Sequence, residues 1–243
     1  MKDEADVLIA PVGEPGFGQL GNVLALDGAF AAGGAVNAGD DVEQGGFAGA
    51  GWSHEGEELA IVRALDALPG QNCLILLPRH PERGPAVEAA LRREGYRLAV
   101  RSRGEQPDGD TDLYLADTLN EMGLFLRLAD VVVMGGSFAP AMGLPPVGGH
   151  NPLEPARLGK PIVTGPDASN WTRVTEALAR AGGLSIAEAP SRLPTVIAPL
   201  LASSDAARAM GERARRAAAE ANGGLDILWG RLAAMLPPRG GGR

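Results

Sequence analysis

Aromatic side chains are scarce, at 4% of 243 residues, and the chain holds a single cysteine, Cys73. One thiol builds neither a disulfide framework nor a zinc site. Set within "CLILL", it reads as a buried core residue. His54, His80 and His150 lack metal-ligand spacing, and no Asp-x-Asp pair stands at a strand end, so neither a metal nor a cofactor is expected. Apolar runs approaching the ~18 residues of a membrane span are missing. The acidic start "MKDEAD" lacks the marks of a signal peptide. The expectation is a cytoplasmic protein, with attachment to a membrane surface left open. Basic residues are outnumbered, 22 against 30 acidic, for a net charge of −8, which argues against nucleic-acid binding. Hydrophobic residues, by contrast, reach 45% and allow a sizeable core. The length suits one large domain or two small ones.

The 35 glycines and 19 prolines divide the chain unevenly. Residues 1–51 are glycine-heavy and aperiodic apart from a possible strand, "DVLIAPVG", and are expected to be irregular. Gly16, Gly18 and Gly21 spell G-x-G-x-x-G, but Pro11 and Pro15 interrupt the tight strand–loop–helix that a dinucleotide fingerprint needs. From Trp52 the pattern is regular. "HEGEELAIVRALDAL" places Leu59, Ile61, Val62, Leu65 and Leu68 at helical spacing. Strands "NCLILLP", "YRLAVRS", "TDLYLAD", "DVVVMGG" and "PIVTG" alternate with helices "PERGPAVEAALRREG" and "LNEMGLFLRLA". Helices at Trp171–Ala181, Ala206–Ala221 and Leu225–Leu236 follow. Strands apolar throughout, alternating with helices, predict an α/β fold: a doubly wound parallel sheet spanning residues 52–236, with a disordered tail at 237–243. The stretch before "SHEGEE" reads "GGFAGAG", so the strand expected there would be weak.

In such sheets ligands bind at the carboxyl ends of the strands. Three places qualify. Pro78 and Arg79 end "CLILL", where an arginine can pair bidentately with a phosphate, or be a plain surface residue. "DTLNEM" follows "DLYLA": Asp117 or Thr118 can cap a helix, and Glu121 in its first turn is either dipole complement or ligand. Gly135, Gly136 and Ser137 follow "DVVVM" and lead to "GGHNPLEPARLGKPIVTG". There Asn151 is a good N-cap, Pro152 suits the first helical position, Glu154 falls at the third, and Gly159 ends the helix. A glycine loop meeting a helix start is a ready phosphate site, and simple turn chemistry is the competing explanation.

Together and in this order, "SHEGEE", "LLPRHPER", "DTLNEMG", "ADVVVMGGSF" and "GGHNPLEPARLGKPIVTGP" resemble the carboxyl-terminal half of bacterial 3-deoxy-D-manno-octulosonic acid (Kdo) transferase. The resemblance covers roughly Trp52 to Leu236. It implies the Rossmann-like carboxyl-terminal domain of a GT-B glycosyltransferase, which takes Kdo from CMP-Kdo to lipid A precursor at the cytoplasmic face of the inner membrane. Carried over position by position, the CMP-binding residues would be Pro78 and Arg79, then Asn120, Glu121 and Met122, then Asn151, Pro152, Leu153 and Glu154. The family usually reads Gly-Glu-Leu where this chain has Asn120-Glu121-Met122. Glu154 would accept from ribose hydroxyls. Gly135, Gly136 and Ser137 would hold the phosphate. Ser53, His54 and Glu55 would face the cleft, or serve as a helix cap.

The family's amino-terminal domain supplies its catalytic base, and residues 1–51 are too short to match it. The catalytic residue in this chain is therefore unknown. "LIAPVGE" faintly echoes the family's base motif, with Glu14 in the base position. A truncated transferase is the leading expectation. Its alternatives are a non-catalytic CMP-binding remnant and another GT-B nucleotide-sugar enzyme.

Overall fold

The computed structural model describes residues 22–28, 51–70, 72–78 and 80–235. Seven parallel strands form one sheet: β1 (Asn22–Gly28), β2 (Asn72–Pro78), β3 (Leu98–Val100), β4 (Leu113–Leu115), β5 (Val131–Met134), β6 (Ile162–Thr164) and β7 (Leu184–Ile186). Their order across the sheet is β3-β4-β2-β1-β5-β6-β7. The helices are α1 (Gly51–Leu65), α2 (Gly84–Arg93), α3 (Met122–Leu128), α4 (Leu153–Arg157), α5 (Thr172–Arg180), α6 (Leu193–Ala202) and α7 (Ser204–Met235).

The two-residue period of a strand sorts the core into two layers. On one face Leu24, Leu74, Leu76, Leu113, Leu115, Val131 and Val133 pack with Ile61, Val62 and Leu65 of α1, Val87 and Leu91 of α2, and Leu193 and Ile197 of α6. On the other, Val23, Ala25, Cys73, Ile75, Tyr114, Val132 and Met134 pack with Phe125 and Leu126 of α3, Ala156 of α4, Leu178 of α5 and Ala214 of α7. Both faces are covered, which is why the strands are apolar at every position rather than alternately. Cys73 lies in the core, as its setting implied, and burial pushes its thiol up to about 11.

Several elements differ from the sequence reading. The central strand is "NVLALDG", paired on one side with β2 along its whole length and on the other with β5. So residues 22–28 leave the segment expected to be irregular and join the sheet. The weak strand expected at "GGFAGAG" lies, apart from Gly51, outside the described residues. The strand expected at "DVLIAPVG", the G-x-G-x-x-G glycines, Glu14, Arg79 and the tail 237–243 lie outside the described residues. The last two expected helices are one, α7, which continues through Gly223 and Gly224. A helical glycine costs about 1 kcal/mol relative to alanine, too little to break a long helix. Both β7 and α6 were overlooked: the strand is short, and α6 carries Pro199 in its interior. The chain approaches itself tightly where α7 crosses the end of α4. A Cβ at Gly211 would sit 1.8 Å from the carbonyl oxygen of Gly159.

Candidate functional site

All seven strands run the same way, so their carboxyl ends form one edge of the sheet. β1 leads outward to β2 on one side, and β5, β6 and β7 proceed outward on the other. The topological switch therefore lies between β1 and β5, where an open α/β sheet leaves a crevice for ligands. The described segments read as binding stretches lie along this carboxyl edge: Pro78 at the end of β2, 117–122 after β4, 135–138 after β5, and 148–154 between β5 and β6.

The loop after β5 is closed by the chain's own carboxylate. Glu57 of α1 is 4% exposed and accepts hydrogen bonds from the backbone N–H groups of Ser137 and Phe138, both at 3.1 Å. Burial pushes its pKa up. The amides of Phe138, Ser137 and Gly136 and the charge of His150 pull the other way without cancelling the shift. The Ser137 hydroxyl donates to the Met134 carbonyl and accepts from the Gly165 amide, each at 2.7 Å. Of the loop expected at Gly135, Gly136 and Ser137, the Ser137 amide already donates to this glutamate.

That loop is tied to the segment before α4. The Gly149 amide donates to the Gly136 carbonyl at 2.9 Å, and the Asp167 amide to the Ser137 carbonyl at 2.9 Å. Asp167 Oδ2 in turn accepts from the amides of Val147 at 3.0 Å and Gly148 at 2.7 Å. Burial alone would raise the Asp167 pKa, but these bonds and those from Ser169 hold it below the usual carboxylate value. Gly148 and Gly149 have φ of 92° and 69°, and a Cβ on Gly149 would lie 2.7 Å from the Asp167 carbonyl oxygen. Two successive glycines are required there by conformation and by space.

Asn151 Oδ1 accepts from the Leu153 amide at 3.0 Å, the contact of a capping asparagine. The helix itself begins at Leu153, one residue later than expected, and is a single turn rather than two. It ends as expected: Gly159 has φ 68° and its amide donates to the Ala156 carbonyl at 3.0 Å. Pro152 is buried, Leu153 half-buried and Glu154 exposed. Glu154 has no ion pair or side-chain hydrogen bond among the described residues, so it does not close a capping box. Its carboxylate stands at the rim.

The turn after β4 is held differently. Arg101, immediately after β3, meets the Glu121 carboxylate with two parallel hydrogen bonds, at 2.8 and 3.1 Å. The Thr118 hydroxyl donates to the same carboxylate. Arg101 also lies 6.0 Å from the centre of the Phe125 ring. Its guanidinium holds Glu121 below the usual carboxylate range. Between these anchors Asn120 adopts φ 64°, a left-handed conformation that asparagine tolerates and glycine favours. Asn120 is exposed and Met122 half-buried, and Pro78, the last residue of β2, is buried. Ser53, His54 and Glu55 fall near the start of α1.

Two residues that organise this edge, Glu57 and Arg101, were not singled out from the sequence. Glu57 sits within "SHEGEE", where three acids close together look like a solvated helix start. Arg101 directly follows a strand and finds its partner 20 residues away. An acid within an otherwise apolar helix face was the available signal for Glu57.

A doubly wound parallel sheet with helices on both faces and loops gathered at the switch point defines a Rossmann-like domain of the GT-B glycosyltransferase kind. The relatives are more particular. The 3-deoxy-D-manno-octulosonic acid transferase of Haemophilus influenzae is 32% identical over 180 residues, 72% of this chain and 41% of that protein. The enzyme of the same name from Bordetella pertussis is 33% identical over 171 residues, 67% of this chain and 38% of its own length. Among solved structures, the C-terminal CMP-Kdo binding domain of WaaA from Acinetobacter baumannii superposes with a TM-score of 0.66 at 23% identity, covering 84% of this chain and 93% of that domain. No family model matches the chain. The chain is a homologue of the Kdo transferases and spans less than half the length of these relatives.

Proposed function

We propose that the carboxyl edge of the sheet is the donor-binding half of a Kdo transferase, taking the nucleotide of CMP-Kdo. The observation that carries this reading is the convergence of three separated segments on one edge. Residues 78, 120–122 and 151–154 correspond to the family's CMP-contacting stretches by resemblance, and they follow β2, β4 and β5, whose carboxyl ends share one edge of the sheet. Asn151 and Glu154 stand at the start of α4, where an exposed carboxylate can accept from ribose hydroxyls. The Asn120–Met122 turn, held by the Arg101–Glu121 pair, would contribute a further contact to the nucleotide. Arg79 brings the positive charge for the phosphate.

In the full reaction Kdo would pass to a lipid A precursor with loss of CMP. A carboxylate base would deprotonate the acceptor hydroxyl, and the departing phosphate would be stabilised by fixed donors. Such an acceptor places the protein at the inner-membrane surface as a peripheral component. No helix among the described residues is long and apolar enough to cross a membrane.

Calorimetric titration with CMP and with UMP tests the reading. Glu154→Gln should weaken CMP binding about tenfold, in line with the ~1.5–3 kcal/mol of a hydrogen bond to a charged group. It should leave the melting temperature unchanged, because the Glu154 side chain makes no hydrogen bond or ion pair among the described residues. Unaltered CMP affinity in this variant would remove Glu154 from the site. A preference for UMP would favour another GT-B nucleotide-sugar enzyme.

A further inference from the structure

We infer that Glu57 is the positioning residue of the donor site: its carboxylate fills the amide ring of the 136–138 loop and thereby fixes the 148–154 segment. The inference rests on the donor-site reading for its ligand, but the positioning itself is a property of the free protein. The connection is short. Glu57 Oε1 takes the Ser137 and Phe138 amides at 3.1 Å each, and within the same loop the Gly136 carbonyl takes the Gly149 amide at 2.9 Å. A second route runs from the Ser137 carbonyl to the Asp167 amide, and from the Asp167 carboxylate to the amides of Val147 and Gly148. Each route ends within a few residues of Asn151.

The Ser137 and Phe138 amides, with the charge of His150 nearby, account for a buried acid here. Glu57 is 4% exposed and its neighbours on α1, Ile61 and Val62, are core residues at 1%. A carboxylate is retained there against its desolvation penalty, which fits a group needed to satisfy backbone amides that no strand or helix pairs. A loop of this kind without its acceptor would turn its buried amides elsewhere and carry the Gly149 contact with it. Glu57 therefore acts on the nucleotide through Gly136 and Gly149, not by touching it.

Three variants and one control separate this role from bulk stability. Glu57→Gln keeps an oxygen at the same reach. Glu57→Asp keeps the charge but falls one methylene short. Glu57→Ala removes both. Leu91→Ala truncates the core on α2 and lowers stability away from the site. In amide hydrogen exchange, Glu57→Ala and Glu57→Asp should lose protection at Ser137, Phe138 and Gly149 by tenfold or more while β5 keeps its own. Glu57→Gln should stay within about threefold of wild type. CMP affinity should follow the same order, falling at least tenfold in the alanine and aspartate variants and remaining near wild type in the glutamine variant and in Leu91→Ala.

Unchanged exchange at Ser137, Phe138 and Gly149 in the aspartate variant would overturn the inference, as would a glutamine variant that behaves like alanine. If Glu57→Ala fails to fold, the aspartate and glutamine pair still decides. If wild type binds no CMP, the donor-site reading fails, and the exchange pattern alone judges Glu57.

Discussion

Replacing Gly165 with alanine should loosen the carboxyl edge. A Cβ at this position would lie 2.3 Å from the Ser137 carbonyl oxygen, 2.6 Å from its carbon and 2.9 Å from Phe138 Cδ1. Two of those atoms are backbone, so a rotamer change cannot relieve the overlap and one loop must move. Overpacking of this kind costs about 1–3 kcal/mol. The movement also strains the bonds from the Gly165 amide to Ser137 Oγ and from the Asp167 amide to the Ser137 carbonyl. Each is worth about 0.5–1.5 kcal/mol. A total of roughly 2–6 kcal/mol corresponds to a fall in Tm of about 4–24 °C for a chain of this size. Differential scanning calorimetry, with urea unfolding to check for a single transition, measures it. A Tm within about 1 °C of wild type would refute the packing of the 135–138 loop against β6 that the donor-site argument depends on.

Arg101→Ala should destabilise the fold by about 1–3 kcal/mol, because the half-buried Glu121 loses both of its guanidinium bonds; thermal melts of the variant and of Arg101→Lys would show it. The same pair sets a pH dependence. Arg101, with Thr118, holds the Glu121 pKa below its unfolded value, so its contribution is present above the ordinary glutamate range and is lost as pH falls through the lower native value. Stability measured between pH 7 and pH 2 should therefore drop more steeply at the acid end in wild type than in Arg101→Ala. Asn120→Gly should be neutral or slightly stabilising and Asn120→Ala destabilising by about 1 kcal/mol, since φ 64° penalises a Cβ; equal Tm values for the two would remove the left-handed turn from the account.

The alternation of apolar strands and helices from Trp52 onward made the doubly wound sheet legible, and the helix-period residues Ile61, Val62, Leu65 and Leu68 are indeed core. The central strand escaped notice because "NVLALDG" stands between glycine-rich stretches, where four apolar residues in seven carry no decisive period. Its partners β2 and β5 lie far along the chain, and only tertiary pairing selects it. The α4 turn and its glycine stop followed from local rules, as capping chemistry acts over a few residues. The Glu57 contact did not follow. Local rules recognise Gly135–Ser137 as an anion-binding turn, but they do not say which anion, and Glu57 arrives from 80 residues away. Arg101 and Glu121 are likewise joined only when β3 and β4 lie side by side.

The central claim, that CMP binds at the carboxyl edge, is tested most directly by titrating the 15N-labelled 243-residue chain with CMP and following the backbone amides by NMR. The account predicts saturable shifts at residues 118–122 and 148–154. It predicts none in the 420 Å³ cavity at the opposite end of the sheet, lined by Gly70, Tyr96 and Asp112. A folded chain whose amides stay unmoved at millimolar CMP, or shift only around that opposite cavity, would contradict it.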